Sequence, residues 1–106
     1  MKIEVQREAM RAEGAVLFPD DQLRLVRFTC CGNFGIEEVE DKRVFYDPGK
    51  LKSFARKGEE VPCQICGADR WEWEPVEEFD PEELRPSWAR LISYEPEPEP
   101  EPEQGG

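Results

Sequence analysis

The chain contains no histidine. That absence excludes any mixed Cys/His metal site and removes the commonest general base. There is no G-x-S-x-G elbow, no glycine-rich phosphate loop and no H-E-x-x-H pair either, so no catalytic set is legible and the expectation is a protein that is not an enzyme. No stretch approaches the ~18 consecutive apolar residues of a membrane span. The opening run MKIEVQREAMRAE has no apolar core of the kind a secretory signal needs. Both absences point to an intracellular, cytoplasmic protein, where reducing conditions disfavour structural disulfides. Basic residues are also scarce: 14 Lys and Arg face 25 Asp and Glu, for a net charge of −11. Binding of nucleic acid by overall charge is therefore not expected; such a chain suits a basic protein surface as its partner, or its charge serves solubility alone.

What remains is a chain of 106 residues with three Trp, six Phe and four Cys. That is room for one small domain, at a size where an apolar core is only marginally stabilising and a metal clip is a common supplement. The expected organisation is an N-terminal segment over 1–14, a folded domain over 15–94 and an acidic tail over 95–106. In the tail, Glu95, Glu97, Glu99, Glu101 and Glu103 alternate with proline, a pattern that permits neither an amide ladder nor a helix and predicts a disordered, polyproline-type arm. Without those five acids the charge falls to −6.

Inside the domain, Leu23–Phe28 reads as a strand with Val26 and Phe28 on one face and Leu23 and Leu25 on the other. Residues 36–39 and 44–46 read as a hairpin. Gly32 and Gly35 are expected to supply positive φ for a tight turn. Residues 50–57 read as two helical turns with Leu51, Phe54 and Ala55 on one side and Gly58 as the cap. Trp71 and Trp73 alternate with glutamates as in a strand. Asp80-Pro81-Glu82-Glu83 is a helix start, Pro86 a second one, and Leu84, Trp88, Leu91 and Ile92 fall on one helical face. The fold class expected is small α+β, β-rich, with a short C-terminal helix.

The cysteines carry the strongest chemical signal. Cys63-Gln64-Ile65-Cys66-Gly67 is a knuckle in which two intervening residues let both sulfurs reach one ion, while the glycine permits the turn. Cys30 and Cys31 are adjacent. In a regular strand they would point to opposite faces, so both reach one ion only if the backbone bends there. The 31 residues between Cys31 and Cys63 suit a hairpin insertion. Four thiolates complete a site for one structural ion, with zinc expected and iron the alternative. A three-Cys site completed by a carboxylate or water, free thiols and a disulfide are the other readings.

A strand, a cysteine knuckle, a β-hairpin and a second C-x-x-C-G knuckle together resemble the zinc-ribbon family. The run Val61-Pro62-Cys63-Gln64-Ile65-Cys66-Gly67-Ala68 also resembles the second knuckle of rubredoxins. The rubredoxin pattern would place a cysteine three residues before Cys31, where this chain has Phe28. The resemblance spans residues 28–76. It implies a small metal ribbon, with an iron electron carrier as the remote reading.

Charge is uneven along the domain. Lys42, Arg43, Lys50, Lys52, Arg56 and Lys57 face only Asp47 across residues 42–57, a local +5, whereas residues 72–83 hold seven acids and no base. Two functional expectations follow. The first is a non-enzymatic adaptor that docks on a larger, basic-surfaced assembly; transcription or other nucleic-acid machinery is the expected host by analogy with zinc ribbons, and a viral accessory product fits the acidic, small format. The second is direct single-stranded nucleic-acid binding through 42–57, with Phe45, Tyr46 or Phe54 stacked on bases. It requires that the basic segment not be consumed by pairing with 72–83.

Overall fold

Period-2 alternation organises the centre of the fold. The computed structural model, which describes residues 1–95, runs in the order β1 (Lys2–Val5), α1 (Arg7–Ala12), β2 (Leu23–Phe28), β3 (Phe34–Glu38), β4 (Arg43–Phe45), β5 (Ala55–Arg56), β6 (Trp73–Pro75), a 3₁₀ turn (Pro81–Glu83), α2 (Pro86–Ala89) and β7 (Ile92–Glu95). Five strands form an antiparallel sheet in the order β5-β4-β3-β2-β6, and β1 and β7 form a separate antiparallel pair. Over the described residues the protein is thus small, mostly β, with two short helices.

The sheet buries different residues on its two faces because alternate side chains point opposite ways. One face carries Leu25, Phe34, Ile36 and Phe45 into the larger core, together with Met10, Leu51, Phe79, Leu84, Trp88, Leu91 and Ile92. The other face carries Val26, Phe28, Val44 and Ala55 into a smaller core, against which Cys30, Cys31, Trp71 and Trp73 pack. The metal-ligand candidates therefore belong to the small core, while the N-terminal helix and the C-terminal elements cover the large one. Met10 is fully buried there, and β1 pairs with β7 from Lys2↔Glu95 to Val5↔Ile92.

Three local expectations need correction. Residues 50–57 are not a helix. After the turn at Pro48-Gly49 the chain comes back as β5 and pairs with β4, Arg43↔Arg56 and Val44↔Ala55. Leu51 enters the large core and Ala55 the small one, so their helical spacing came from a return loop that feeds both faces. Eight residues without a partner face are too few to sustain a helix. Gly35 is not a positive-φ turn residue; Gly32 is, at φ +74°. Gly35 lies within β3 because a Cβ there would stand 2.8 Å from the Phe28 ring and 2.9 Å from the Phe45 carbonyl oxygen. The C-terminal apolar set is buried, but it does not lie on one helix. Leu84 follows the 3₁₀ turn, Trp88 lies in a single-turn helix begun by Pro86, and Ile92 opens a strand. Asp80 caps the first of these, accepting the Glu82 amide at 3.0 Å. The expectation of a disordered Glu-Pro arm falls, apart from Glu95, outside the described residues.

Candidate metal centre

Cys30 and Cys31 lie in the turn between β2 and β3, just past the end of the strand. The turn is closed by the Gly32 amide donating to the Phe28 carbonyl at 2.8 Å and the Phe28 amide donating to Asn33 at 2.9 Å. Gly32 takes the left-handed conformation that this reversal requires. The bend resolves the problem of adjacency, since neither cysteine is held to the strand pleat. The second knuckle is closed in the same way: the Gly67 amide donates to the Cys63 carbonyl and the Cys63 amide to the Ala68 carbonyl, each at 2.9 Å, with Gly67 at φ +76°. The Ile65 amide points at the Cys63 sulfur from 3.4 Å.

The two knuckles converge. The sulfurs of Cys30, Cys31, Cys63 and Cys66 all lie within 4.8 Å of one another. Four thiolates around one tetrahedral ion at the usual zinc–sulfur length stand about 3.8 Å apart. Only a small contraction separates the observed cluster from a complete site, so the donor set can hold a metal ion. All four are free thiols, and Cys63 is the buried member. Burial pushes the Cys63 thiol up, but amides of Cys66 and Ile65 and bonds from Cys30 and Cys66 more than offset it, bringing it to about 7. Cys30 goes the other way: burial raises it first, then its bonds to Cys66, Cys63 and Cys31 and the charge on Cys63. One thiol of the cluster is thus poised to ionise near neutrality while its neighbour keeps its proton, as expected of thiolates crowded together without a cation.

What positions one knuckle against the other was not legible as a site feature. Trp71 packs on Phe28 at 5.7 Å and on Trp73 at 5.6 Å, and its indole N–H donates to the Val61 carbonyl at 2.7 Å. Val61 lies two residues before Cys63, so the indole joins the approach to the second knuckle to the floor beneath the first. Glu72 and Thr29 reinforce it: the Thr29 amide donates to the Glu72 carbonyl at 2.9 Å, and the Glu72 amide to the Thr29 hydroxyl at 3.2 Å. Phe28, standing where a rubredoxin-type ligand would be, is 1% exposed and belongs to the core. The only signal in the sequence was a pair of tryptophans immediately after a knuckle.

The basic segment divides. Lys42, Lys50, Lys52, Arg56 and Lys57 are exposed, and among the described residues no ion pair joins them to residues 72–83. Arg43 stands apart from these five. It is buried, paired with Glu38, and stacked between the rings of Phe18 at 4.6 Å and Phe54 at 4.4 Å. Phe45 is buried as well and cannot stack on a base. A second cluster, Asp21, Glu38 and Asp41, brings carboxylates together, but its members have partners. Asp21 accepts the amides of Glu40 at 2.8 Å and Asp41 at 3.2 Å, and Glu38 accepts Arg43 and the Phe18 amide.

Among the described residues no helix is long and apolar enough to cross a membrane. No protein family, curated protein or solved structure matches the chain.

Proposed function

We propose that this protein is a metal-stabilised adaptor, a ribbon-like domain in which zinc fastens two knuckles and whose outer surface docks on a basic protein assembly. The convergence of four thiols supports a structural rather than a catalytic ion, because four protein ligands leave no open position for a substrate. Zinc fits this all-sulfur, redox-silent role. Iron in the same site would make the protein red, and a colourless metal-loaded protein would dismiss the electron-carrier reading.

The observation that carries the docking half is a patch of apolar side chains left in solvent. Val16 is 75% exposed and Phe18 44%, and both gather around Arg43, which donates to the Val16 carbonyl and lies under the Phe18 ring. Exposed acids lie close by at Asp20, Glu40 and Asp41, the last two with their amides on Asp21, alongside the exposed Lys42 and Arg56 and the Arg7 guanidinium, which donates to the Phe18 carbonyl. An apolar centre with a mixed rim, on a chain whose net charge is −11, suits a partner that is itself apolar and basic. Val16→Lys changes a side chain that packs on little, so the fold should survive. The expected result is retention of a salt-sensitive partner by the wild-type protein and its loss from the variant at equal salt. Equal capture by both, or capture that does not respond to salt, would remove this reading.

Direct nucleic-acid binding is the second reading, and one observation favours it. The exposed Arg56 and Lys57 share a small pocket with Trp71 and Trp73, whose indole N–H groups are already tied to the protein, although Glu59 and Glu72 line it too and oppose a phosphate backbone there. Fixed aromatic rings beside unpaired cations are the ingredients of a base-stacking surface. A gel shift with oligothymidylate that weakens steeply with salt, and disappears in Arg56→Glu, would support it.

A further inference from the structure

A groove of about 680 Å³ runs beside the cysteine cluster between the second knuckle, the turn after β4 and the start of α2. Its walls are held together without help from a ligand: Arg90 donates to the Pro48 carbonyl at 3.3 Å, so α2 is fastened to the turn. Several of its charged groups are already engaged. Arg27 pairs with Glu83 at 2.9 Å and also donates to the Gly32 carbonyl, and Asp47 accepts the Gly49 amide at 2.8 Å.

Lys50 and Arg85 line the groove, are exposed, and make no ion pair or side-chain hydrogen bond among the described residues. Asn33 and Ser87 line it too, and their side chains have no hydrogen bond among the described residues. Ile65 at the knuckle tip, 39% exposed, and the half-buried Tyr46 supply apolar surface. The unspent chemistry of the groove is therefore two cations, one carboxamide, the hydroxyls of Ser87 and Tyr46, a small apolar strip and the Asp47 carboxylate, which has no cation partner among the described residues.

We propose that this groove binds a carboxylate-rich peptide segment of a partner protein. Lys50 and Arg85 face its acidic side chains, Asn33 and Ser87 meet its backbone amides and carbonyls, and Ile65 and Tyr46 cover its apolar atoms. Peptide is favoured over nucleic acid because Asp47, which pairs with no cation among the described residues, remains in the lining, where it repels a continuous phosphate backbone but leaves room for carboxylates set at intervals. The groove gives an adaptor a second surface of opposite preference to its apolar patch, and it does not depend on that patch being occupied.

The test is an NMR titration of the full, metal-loaded chain with an acetylated, amidated octapeptide of alternating Glu and Ala. The same peptide with Gln in place of Glu and an oligothymidylate serve as controls. Since the chain carries its own acidic run at 95–103, a full-length variant with Glu97, Glu99, Glu101 and Glu103 changed to Gln is titrated in parallel. The expected result is saturable shifts at the Trp88 indole, Asn33 and Ser87 with the Glu peptide in at least one of the two proteins, with none from the Gln peptide. Lys50→Glu or Arg85→Glu should each weaken it about tenfold. No response in either protein, an equal response to the Gln peptide, or a stronger response to the oligonucleotide would overturn the proposal. Shifts at those three residues caused by neutralising the tail alone, without peptide, would assign the groove to the chain's own tail and overturn the partner assignment.

Discussion

Arg43 and Glu38 form an ion pair inside the protein, with side chains 5% and 0% exposed, two residues that face each other across the hairpin of β3 and β4. The guanidinium is further enclosed by Phe18 and Phe54, and its Nε has no acceptor. Removing one partner leaves the other charge buried. Glu38→Ala is expected to cost about 3–5 kcal/mol by urea denaturation, whereas the double replacement Glu38→Leu with Arg43→Met should cost much less. If the double variant is as unstable as the single one, the pair is not the source of the loss.

Gly35 and Phe28 make a second, steric dependence. The Phe28 ring occupies the space a Cβ at position 35 would need, so Gly35→Ala must displace the ring or the strand β4 behind it. The expected loss is about 1–3 kcal/mol. Phe28→Leu costs stability on its own by opening a cavity, but in that background Gly35→Ala should cost less, because the obstructing ring has gone. Additive losses would show that the Phe45 carbonyl, not the ring, is the obstacle.

How much of this was readable in advance follows from what each residue depends on. Strand β2, with its split between Leu25 and Val26, was legible because alternation is a local pattern that survives folding. The four cysteines were legible because ligand spacing is local within the second knuckle, and in a histidine-free chain no imidazole competes with them for an ion. Residues 50–57 were misread because Leu51 and Ala55 serve opposite faces of a sheet, a fact that depends on pairing with β4. Gly35 was misread because its reason is an aromatic ring seven residues away. Arg43 counted as a surface cation because no local signal shows Glu38, Phe18 and Phe54 closing over it.

Trp71 supplies a test of whether the two knuckles are mechanically joined. Trp71→Phe keeps a ring against Phe28 but deletes the donor to the Val61 carbonyl. Groups that orient ligands without touching the ion typically account for about 10–100-fold in metal affinity. The expected outcome is a loss in that range, measured by competition with a chromogenic chelator, with near-wild-type secondary structure in the metal-loaded state. Unchanged affinity would mean that the second knuckle holds its position without the indole.

The acid–base state of the thiols fixes how metal binding responds to pH. In the metal-free fold Cys63 ionises at about 7, below its ordinary value, whereas Cys30 is raised and keeps its proton through neutrality. A metal ion binds thiolates, so its entry at pH 8 expels the Cys30 proton, while Cys63 is already largely ionised and releases little. Below pH 7 Cys63 carries a proton as well, and that one must also leave. Affinity therefore falls as pH falls, and it falls more steeply below about 7, by one further proton. Calorimetry of zinc binding in buffers of different ionisation enthalpy counts these protons directly. Cys63→Ser should remove the change in slope and weaken binding severely, and chelation of the wild-type protein should lower its melting temperature, because the ion's binding free energy is folding free energy in a site of this kind. A proton count that is constant between pH 6 and 8 would contradict the assignment of Cys63 as the thiol that ionises first, and a melting curve indifferent to chelator would contradict the metal centre itself.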